Sequence, residues 1–311
     1  MKILNVSYSD LFGGAAKSSY RIHKSLNFIR KGIESKMIVV KKESNDDNII
    51  QFKSNLVKLS FKIKNYIGII ISKFDRNKNP TSYNFFNSPI LEFINKSNFD
   101  IINLHWINAE TISINDIKKI EKPYIITMHD MWWLCGTENY LEYRDNSWKK
   151  GEFNNLLSNI KFKDKFNLKP IAIICPSKWL MQISKKSKIY SKKKIVYIPY
   201  PINQKIFFPR KINKIENLNL KKNKKIKIFF AVFGNPTDKR KGFDLLLKSL
   251  TRIDNNKFEL IVAGKNKINI SQFDIKYVNY IKNERELSNI YNLSDIVVIP
   301  SRLDNLPNVA L

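Results

Sequence analysis

The sequence lacks the residue patterns that mark metal sites and disulfide frameworks. It has only two cysteines, Cys135 and Cys175, which are forty residues apart and form no C-x-x-C pair. No D-x-D motif and no histidine cluster occurs among its three histidines. These absences argue against a zinc site, a disulfide-stabilised scaffold and a carboxylate-bound divalent cation, and they predict a protein of a reducing compartment that needs no metal.

Long apolar runs are also missing. The amino-terminal run Ile3–Val6 is too short for the core of a signal peptide, and nothing approaches the ~20 apolar residues of a membrane span. We therefore predict a cytoplasmic protein.

Acidic residues are scarce relative to basic ones. The 27 Asp and Glu residues face 55 Lys and Arg residues, which leaves a formal net charge of +28. Such a charge attracts any polyanion, whether nucleic acid, an anionic membrane surface or a nucleoside diphosphate. The net charge alone does not distinguish between these partners. Part of the excess of basic residues can also be explained by a compositional bias toward lysine.

What the sequence does contain is an alternation of short apolar runs and helical patterns, typical of parallel sheets with crossover helices. A chain of 311 residues is long enough for about two domains. The segment Pro199-Tyr200-Pro201 suits neither a helix nor a central strand, so it is predicted to link a first domain, residues 1–200, to a second, residues 201–311. The predicted fold is α/β, with two Rossmann-like, doubly wound parallel-sheet domains that face a cleft.

The predicted elements follow from these patterns. In the first domain the strands are Lys2–Val6, Lys36–Val40, Ile101–Leu104, Tyr124–Met128, Ile171–Cys175 and Ile195–Ile198. In the second domain the order is strand Lys227–Phe233, helix Phe243–Leu250, strands Phe258–Ala263 and Lys276–Tyr280, helix Glu284–Asn292 and strand Ile296–Pro300. Folds of this kind bind ligands at the carboxyl ends of their strands, so candidate site residues should follow strands directly.

The first candidates are Gly13 and Gly14, which lie between the first strand and a helix. Paired glycines let backbone N–H groups approach a bound phosphate, although the same pair also suits a plain tight turn. The spacing is not that of a dinucleotide fingerprint, and the second strand runs into Lys41 and Lys42 rather than an acidic residue. NAD binding is therefore not expected.

His129 ends the fourth predicted strand and is followed by Asp130. A histidine in this position is placed to donate or exchange a proton with a ligand, and the alternative is a histidine satisfied locally among aromatic residues. For His105, which also ends a strand, and for His23, within the first helix, a structural role is favoured.

In the second domain a glycine, Gly234, ends a strand, and Arg240 and Lys241 stand just before a helix. Fixed cations at such a place can neutralise a diphosphate leaving group. The alternative interpretation is a basic turn that is only exposed to solvent. Asp304 follows the last predicted strand, where it is placed to accept hydrogen bonds from sugar hydroxyls or to act as an ordinary helix cap.

Taken in order, these motifs resemble those of the family 4 retaining glycosyltransferases of GT-B fold. The motifs are Gly13-Gly14, Thr127-Met128-His129-Asp130, Pro176-Ser177-Lys178-Trp179, Arg240-Lys241-Gly242-Phe243-Asp244 and Asp304-Asn305-Leu306-Pro307-Asn308. The resemblance implies that His129 and Asp304 are the catalytic residues at the transferred sugar. It also implies that the donor is bound by Gly13, Gly14, Gly234, Arg240, Lys241, Asn305, Leu306 and Asn308.

The sequence departs from the family pattern in three places. Asn235 stands where many relatives carry a basic residue, and Asp304 replaces the more usual glutamate. A second glutamate, roughly eight positions after Asp304, would lie beyond Leu311. The second domain is therefore expected to be incomplete.

The predicted function is transfer of a sugar from a nucleoside-diphosphate sugar to a glycan or lipid-linked acceptor, as in bacterial surface polysaccharide synthesis. The resemblance implies a retaining hexosyltransferase without a metal or other cofactor. The alternatives are an inactive, truncated product of this family and, on charge alone, a nucleic-acid-binding protein.

One segment raises the question of membrane contact. Residues 51–79 interleave apolar residues with Lys53, Lys58, Lys62, Lys64 and Lys73. This pattern fits a basic amphipathic helix on an anionic bilayer, and it also fits a helix that covers the sheet with its lysines outward. The second interpretation is favoured.

Overall fold

The computed structural model describes residues 1–29, 32–74, 81–141, 145–265, 270–281 and 283–311. The chain forms two compact units, Met1–Pro201 and Ile202–Leu311. The break lies one residue beyond the predicted boundary, in the proline-containing segment.

The first unit is built on a parallel sheet of seven strands in the order β3-β2-β1-β4-β5-β6-β7. Chain order and sheet order differ because β1 lies inside the sheet, between β2 and β4. The strands are β1 (Lys2–Ser9), β2 (Glu34–Lys41), β3 (Ile49–Gln51), β4 (Ile101–Leu104), β5 (Tyr124–Thr127), β6 (Ala172–Cys175) and β7 (Ile195–Tyr197).

Helices connect these strands, and side-chain caps set several of their starts. Ser177 accepts a hydrogen bond from the Leu180 amide, as its sequence position predicts, and Ser113 forms a capping box with Asp116. The helices are α1 (Gly14–Ile29), α2 (Asn55–Phe74), α3 (Pro89–Lys96), α4 (Ile114–Ile117), α5 (Ser147–Lys150), α6 (Leu156–Lys165) and α7 (Lys178–Lys186).

The second unit has a parallel sheet of four strands in the order β12-β11-β10-β13, beside a small antiparallel hairpin of β8 and β9. Apolar clusters cover both faces of the larger sheet, around Phe230 on one face and Phe229 on the other. The elements are β8 (Lys214–Ile215), β9 (Leu220–Lys221), β10 (Ile226–Ala231), α8 (Phe243–Leu250), β11 (Phe258–Ala263), β12 (Ile275–Val278), α9 (Glu284–Leu293) and β13 (Ile296–Val297).

The last strand is shorter than the predicted Ile296–Pro300. Pairing between β13 and β10 is limited to Ile228 with Ile296 and Phe229 with Val297. β13 is an edge strand, and the chain leaves it at once to form the loop that carries Asp304. Before β10, residues 210–225 contain the β8–β9 hairpin, in which Asn219 adopts a left-handed conformation.

Helix α2 corrects the favoured interpretation of residues 51–79. Phe61 faces inward and is 4% exposed, but Tyr66, Ile67, Ile69 and Ile70 lie on the surface instead of covering the sheet. The helix therefore presents apolar residues as well as lysines to solvent. Residues 75–79 of the predicted segment lie outside the described residues.

A buried ion pair joins the two central strands of the second unit. Lys227 on β10 and Glu259 on β11 are in-register neighbours, with 3.0 Å between Nζ and Oε1, and both side chains are almost completely buried. Lys227 Nζ also donates to Asn223 Oδ1 at 2.7 Å. Removal of one partner would leave an uncompensated buried charge.

We predict that Lys227→Ala lowers the free energy of unfolding of the second unit by about 3–5 kcal/mol. The double variant Lys227→Met, Glu259→Leu removes both charges and should recover most of this loss. Urea denaturation followed by circular dichroism measures the effect. Lys225→Ala, which breaks a partly exposed pair with Asp274, is the matched control and should cost much less. Equal stability of Lys227→Ala and the wild type would contradict the prediction.

Candidate functional site

Both sheets place their candidate residues at the same kind of position. In the first unit β1 lies between β2 and β4, and in the second β10 lies between β11 and β13. The chain crosses from β1 to β2 on one side, whereas β4 lies on the other side of β1, and in the same way it crosses from β10 to β11, whereas β13 lies on the other side of β10. Sheets with this strand order bind ligands at the carboxyl ends of these strands. Gly13 and His129 follow strands of the first unit, and Lys241 and Asp304 follow β10 and β13 of the second.

In the second unit the basic residues lie on a single 3₁₀ turn, Lys239–Lys241. Asp238 begins this turn, because its carboxylate accepts a hydrogen bond from the Arg240 amide at 2.9 Å. Gly242 ends the 3₁₀ turn with φ of +72°, and α8 begins at the next residue, Phe243. The polar loop between β10 and α8 is thus a capped turn of defined shape.

The loop after β13 is bound to this turn. The Arg302 amide donates to the Arg240 carbonyl at 2.8 Å, and the Arg302 guanidinium donates to the Lys239 carbonyl at 2.6 Å. The same guanidinium binds both carboxylate oxygens of Asp244, at 2.7 and 2.6 Å. A bidentate pair of this kind fixes both distance and orientation.

Gly242 permits the closest approach of the two loops. A Cβ atom at this position would lie 2.0 Å from the Pro300 carbonyl oxygen. The positive φ is a second reason for glycine, since other residues adopt it only with strain. No side chain can be added here unless the two backbones separate.

This arrangement brings together three residues predicted from the sequence. The Lys241 ammonium forms an ion pair with the Asp304 carboxylate. The Arg240 guanidinium donates to the Leu303 carbonyl at 3.2 Å and lies 4.0 Å from Asp304 Oδ2. The site therefore holds two cations around one carboxylate, all three partly accessible.

The residues after Asp304 continue along the surface of the same unit. Asn305 is buried, and its amide donates to Asp304 Oδ1 at 3.0 Å. Leu306 is half-buried, and Asn308 begins a single 3₁₀ turn, Asn308–Ala310. Pro307 precedes this turn and lies outside it, because its ψ of 126° is extended.

Gly234 lies in the loop after β10. Apart from the two chain neighbours of Gly234, no described residue has a heavy atom within 4 Å of the position that a Cβ would occupy there. Protein packing therefore does not require glycine at residue 234. Its predicted contact with a donor stays a prediction.

In the first unit His129 belongs to a buried hydrogen-bonded network. His129 Nε2 lies 3.0 Å from His105 Nδ1, and His129 Nδ1 lies 2.7 Å from the Tyr200 hydroxyl. His105 Nε2 lies 2.9 Å from Asn5 Oδ1, which also accepts from Asn103 Nδ2 at 3.2 Å. The network thus connects β1, β4 and the loop after β5.

The direction of each hydrogen bond follows from Asn5. Its Nδ2 donates to the Lys36 carbonyl, which can only accept, so Oδ1 must accept from His105 Nε2–H. Because burial favours the neutral ring of His105, its Nδ1 carries no proton and accepts from His129 Nε2–H. His129 Nδ1 in turn accepts from the Tyr200 hydroxyl. Both histidines are held as defined neutral tautomers.

Burial supports the neutral form of both rings. It lowers the pKa of His129 to about 3 and the pKa of His105 well below its usual value. The carboxylate of Asp130, the next residue in the chain, accepts from Trp106 Nε1 at 3.0 Å and from the Trp132 amide at 3.0 Å. His129 therefore presents an uncharged, oriented imidazole.

The loop that carries His129 is fixed by a lysine that the sequence analysis did not identify. Lys165, at the end of α6, is fully buried and donates to the carbonyls of Trp132, Cys135 and Gly136. Its burial lowers the pKa of the ammonium to about 7. A lysine in the last turn of a helix gives no sequence signal for this role.

Gly13 and Gly14 lie where the sequence places them. Gly13 has φ of +98°, its carbonyl accepts from the Lys17 amide at 3.0 Å, and Gly14 is the first residue of α1. Asp10 fixes this loop to the end of β2, because its buried carboxylate accepts from the amides of Glu43 and Ser44 at 2.9 Å each. A ligand contact of the two glycines stays a prediction.

No group of three or more potential metal ligands occurs among the residues that the structure describes. Cys135 and Cys175 are buried thiols. Burial raises the pKa of Cys175 to about 11, so this thiol stays protonated near neutrality.

Comparison with known proteins supports the fold and the second unit. Residues 226–311 match the sequence model of the family described as Glycosyl transferases group 1. No curated protein matches the chain. The matched segment lies within the second unit and includes both loops of the site.

Solved structures resemble the whole chain at low sequence identity. HepE from Anabaena, solved with UDP and glucose, shares 10% identity with a TM-score of 0.58, over 98% of this chain and 76% of that one. OtsA shares 11% identity with a TM-score of 0.57, over 100% and 80% of the two chains. The N-terminal domain of trehalose-6-phosphate phosphatase from Candida albicans shares 11% identity with a TM-score of 0.57, over 99% of this chain and 78% of that one. The predicted α/β fold class with parallel sheets, GT-B, is confirmed.

We predict that Gly242→Ala disrupts the candidate site. The added Cβ and the positive φ both oppose the native backbone, and strain of this kind typically costs about 1–3 kcal/mol. Calorimetric unfolding should show a lower melting temperature of the second unit. Gly234→Ala, which has open space around its Cβ, is the matched control and should leave stability almost unchanged. Equal losses in both variants would contradict this account of Gly242.

We also predict a pH dependence that arises from the neutral histidines. As the pH falls below about 6.5, the unfolded chain binds protons that native His129 and His105 do not bind, so stability decreases. His129→Gln should reduce this slope by up to about 1.4 kcal/mol per pH unit. Denaturation at pH 7, 6 and 5, followed by tryptophan fluorescence, measures it, because all five tryptophans lie in the first unit.

Thr127→Val is the control for the pH experiment. Thr127 Oγ1 donates to Asn103 Oδ1 in the same network at 2.8 Å but does not titrate in this range. This variant should lose stability at every pH and keep the wild-type slope. An unchanged slope in His129→Gln would mean that native His129 binds protons like a histidine of the unfolded chain, which would contradict the lowered pKa.

Proposed function

We propose that the chain is a glycosyltransferase that moves a sugar from a nucleoside-diphosphate sugar to a glycan or lipid-linked acceptor. The observation that carries the proposal is the cluster of Arg240, Lys241 and Asp304. The cluster lies on two joined loops at the carboxyl edge of the second sheet, inside the segment that matches Glycosyl transferases group 1.

In this proposal Lys241 and Arg240 bind the donor diphosphate. When the bond between the anomeric carbon and the diphosphate oxygen breaks, its electron pair stays on the leaving oxygen. Fixed cations stabilise the charge that develops there, which is commonly the largest protein contribution to such a reaction. Asp304 accepts hydrogen bonds from hydroxyls of the transferred sugar. Gly234, Asn305, Leu306 and Asn308 are the other residues of the second unit proposed to contact the donor.

The ion pair between Lys241 and Asp304 couples the two residues, because each group neutralises the other. A bound diphosphate offers Lys241 a more highly charged partner, and the carboxylate is then released for neutral hydroxyls. Donor binding should therefore depend on both residues together rather than on each separately.

The first unit is proposed to serve the acceptor and the sugar. His129 is held neutral, so it would orient a hydroxyl through hydrogen bonds rather than through charge. Gly13 and Gly14 would border the phosphates or the acceptor. Because the cationic loop can stabilise the leaving group, we propose a reaction without a metal, and we propose retention of the anomeric configuration as in family 4.

The similarity to HepE, which was solved with UDP-glucose, makes UDP-glucose the first donor to test. The cytoplasmic location and the role in surface polysaccharide synthesis remain part of the proposal. Contact with an anionic membrane depends on a different surface, the exposed face of α2.

The proposal is tested with Lys241→Ala and calorimetry against UDP-glucose and GDP-sugars. Loss of one fixed charge should lower turnover about 100-fold, equivalent to ~3 kcal/mol. Lys239→Ala, in the same turn, removes a cation outside the Asp304 cluster and should change turnover only slightly. The double variant Lys241→Ala, Asp304→Asn should lose less than the sum of the two single losses.

Two results would contradict the proposed function. One is unchanged donor binding and turnover in Lys241→Ala. The other is binding of an oligonucleotide, with a steep salt dependence, in the absence of any sugar-nucleotide binding, which would indicate a nucleic-acid-binding protein.

A further inference from the structure

Helix α2 carries a continuous apolar stripe on the surface of the first unit. Its stripe residues recur every three or four positions, so they share one face of the helix. Their exposed fractions are large for apolar side chains: Leu56 79%, Leu59 52%, Ile63 51%, Tyr66 64% and Ile70 37%. A contiguous exposed apolar stripe of this length indicates an interaction site.

The opposite face of α2 is fixed to the unit. Phe61 is buried and contacts the Phe52 ring, with 6.4 Å between centroids. A Cβ added to Gly68 would lie 3.6 Å from Glu110 Oε1, and Lys64 Nζ donates to the Asn87 carbonyl at 2.7 Å. The exposed stripe is therefore the outer side of a packed helix and not the side that the unit uses for its core.

The charges of α2 narrow the choice of partner. The helix carries Lys58, Lys62, Lys64 and Lys73 and has no acidic residue. Lys62 and Lys73 are exposed, beside the apolar stripe. An apolar stripe bordered by lysines matches an anionic lipid surface, where side chains such as Leu and Ile enter the acyl boundary and lysines meet the headgroups.

A second copy of the chain fits this face less well. Two α2 helices placed face to face would bring lysines together with no carboxylate of the helix to pair with them, in chains of net charge +28 each. Like charges at the rim of an interface oppose association. A bilayer with anionic headgroups has the complementary charge.

We propose that the exposed face of α2 docks the first unit on an anionic bilayer, with the helix axis in the plane of the membrane. No helix in the described part of the chain is long and apolar enough to cross a membrane. Tyr66, with an apolar ring and a polar hydroxyl, suits the boundary between acyl chains and headgroups. This docking is independent of sugar transfer.

The experiment is co-sedimentation of the protein with vesicles of phosphatidylcholine alone or with phosphatidylglycerol. We expect binding to the anionic vesicles that weakens in high salt. Leu59→Asn, Ile63→Asn should reduce it roughly tenfold or more, because apolar area no longer leaves water. Lys62→Gln, Lys73→Gln should reduce it by about fivefold per lysine.

Ile160→Asn is the matched control. Ile160 is also a helical isoleucine of the first unit, on α6, and is 46% exposed, close to the 51% of Ile63. This variant should bind vesicles like the wild type. Thermal unfolding of each variant checks that the exposed substitutions leave the fold intact.

Hydrogen exchange on the unmodified protein gives a second measurement, with anionic vesicles expected to protect the amides of residues 55–74. The proposal is overturned by absence of binding at low salt, by equal effects of the α2 and Ile160 variants, or by no protection of α2. It is also overturned if Leu59→Asn, Ile63→Asn converts a dimer to a monomer in light scattering, which would make a second copy the occupant. None of these outcomes involves the donor, so they leave the proposed function untouched.

Discussion

Parallel pairing of the strands is the constraint on which the rest of this structure depends. Strands that all run one way must be joined by crossovers, and all their carboxyl ends lie at one edge. In each unit a central strand, β1 or β10, has neighbours that the chain reaches in opposite directions. The loops that follow these strands and their neighbours carry the candidate residues Gly13, Lys241 and Asp304.

The two units use this edge in different ways. In the second unit the loops meet through Gly242 and Pro300 and place Lys241 against Asp304, so the site carries charge near the surface. In the first unit a buried chain of hydrogen bonds holds His105 and His129 neutral. Charge suits a diphosphate whose negative charge grows, whereas a neutral and oriented imidazole suits hydroxyl groups. This division follows from burial, since an unpaired charged imidazole would be costly in the interior.

The sequence predicted most of the fold because strands buried on both faces leave short, uninterrupted apolar runs. Helix Phe243–Leu250 and strand Phe258–Ala263 have the predicted bounds. β3, with three residues, is too short to give a pattern. Lys241 and Asp304 were found as candidates since each follows a strand, but their ion pair depends on loop geometry. Asn5, His105 and Tyr200 were missed as a network, although an asparagine within an apolar strand was a usable signal.

Net charge does not distinguish between nucleic acid, nucleotides and anionic lipid as partners, but net charge and exposed apolar area together do. A positive surface attracts nucleic acid, nucleotides and anionic lipid alike. Nucleic acid binds aromatic and cationic side chains, but its charged backbone gives no compensation for a stripe of leucine and isoleucine. An anionic bilayer can bind both the lysines and the apolar stripe of α2, because its headgroup layer is charged and its acyl layer is apolar. The turn at Lys239–Lys241 has cations without such a stripe, which suits a soluble diphosphate. Under the two proposals the same excess of lysine would act at two chemically different surfaces, and the neighbouring residues would decide which partner each surface binds.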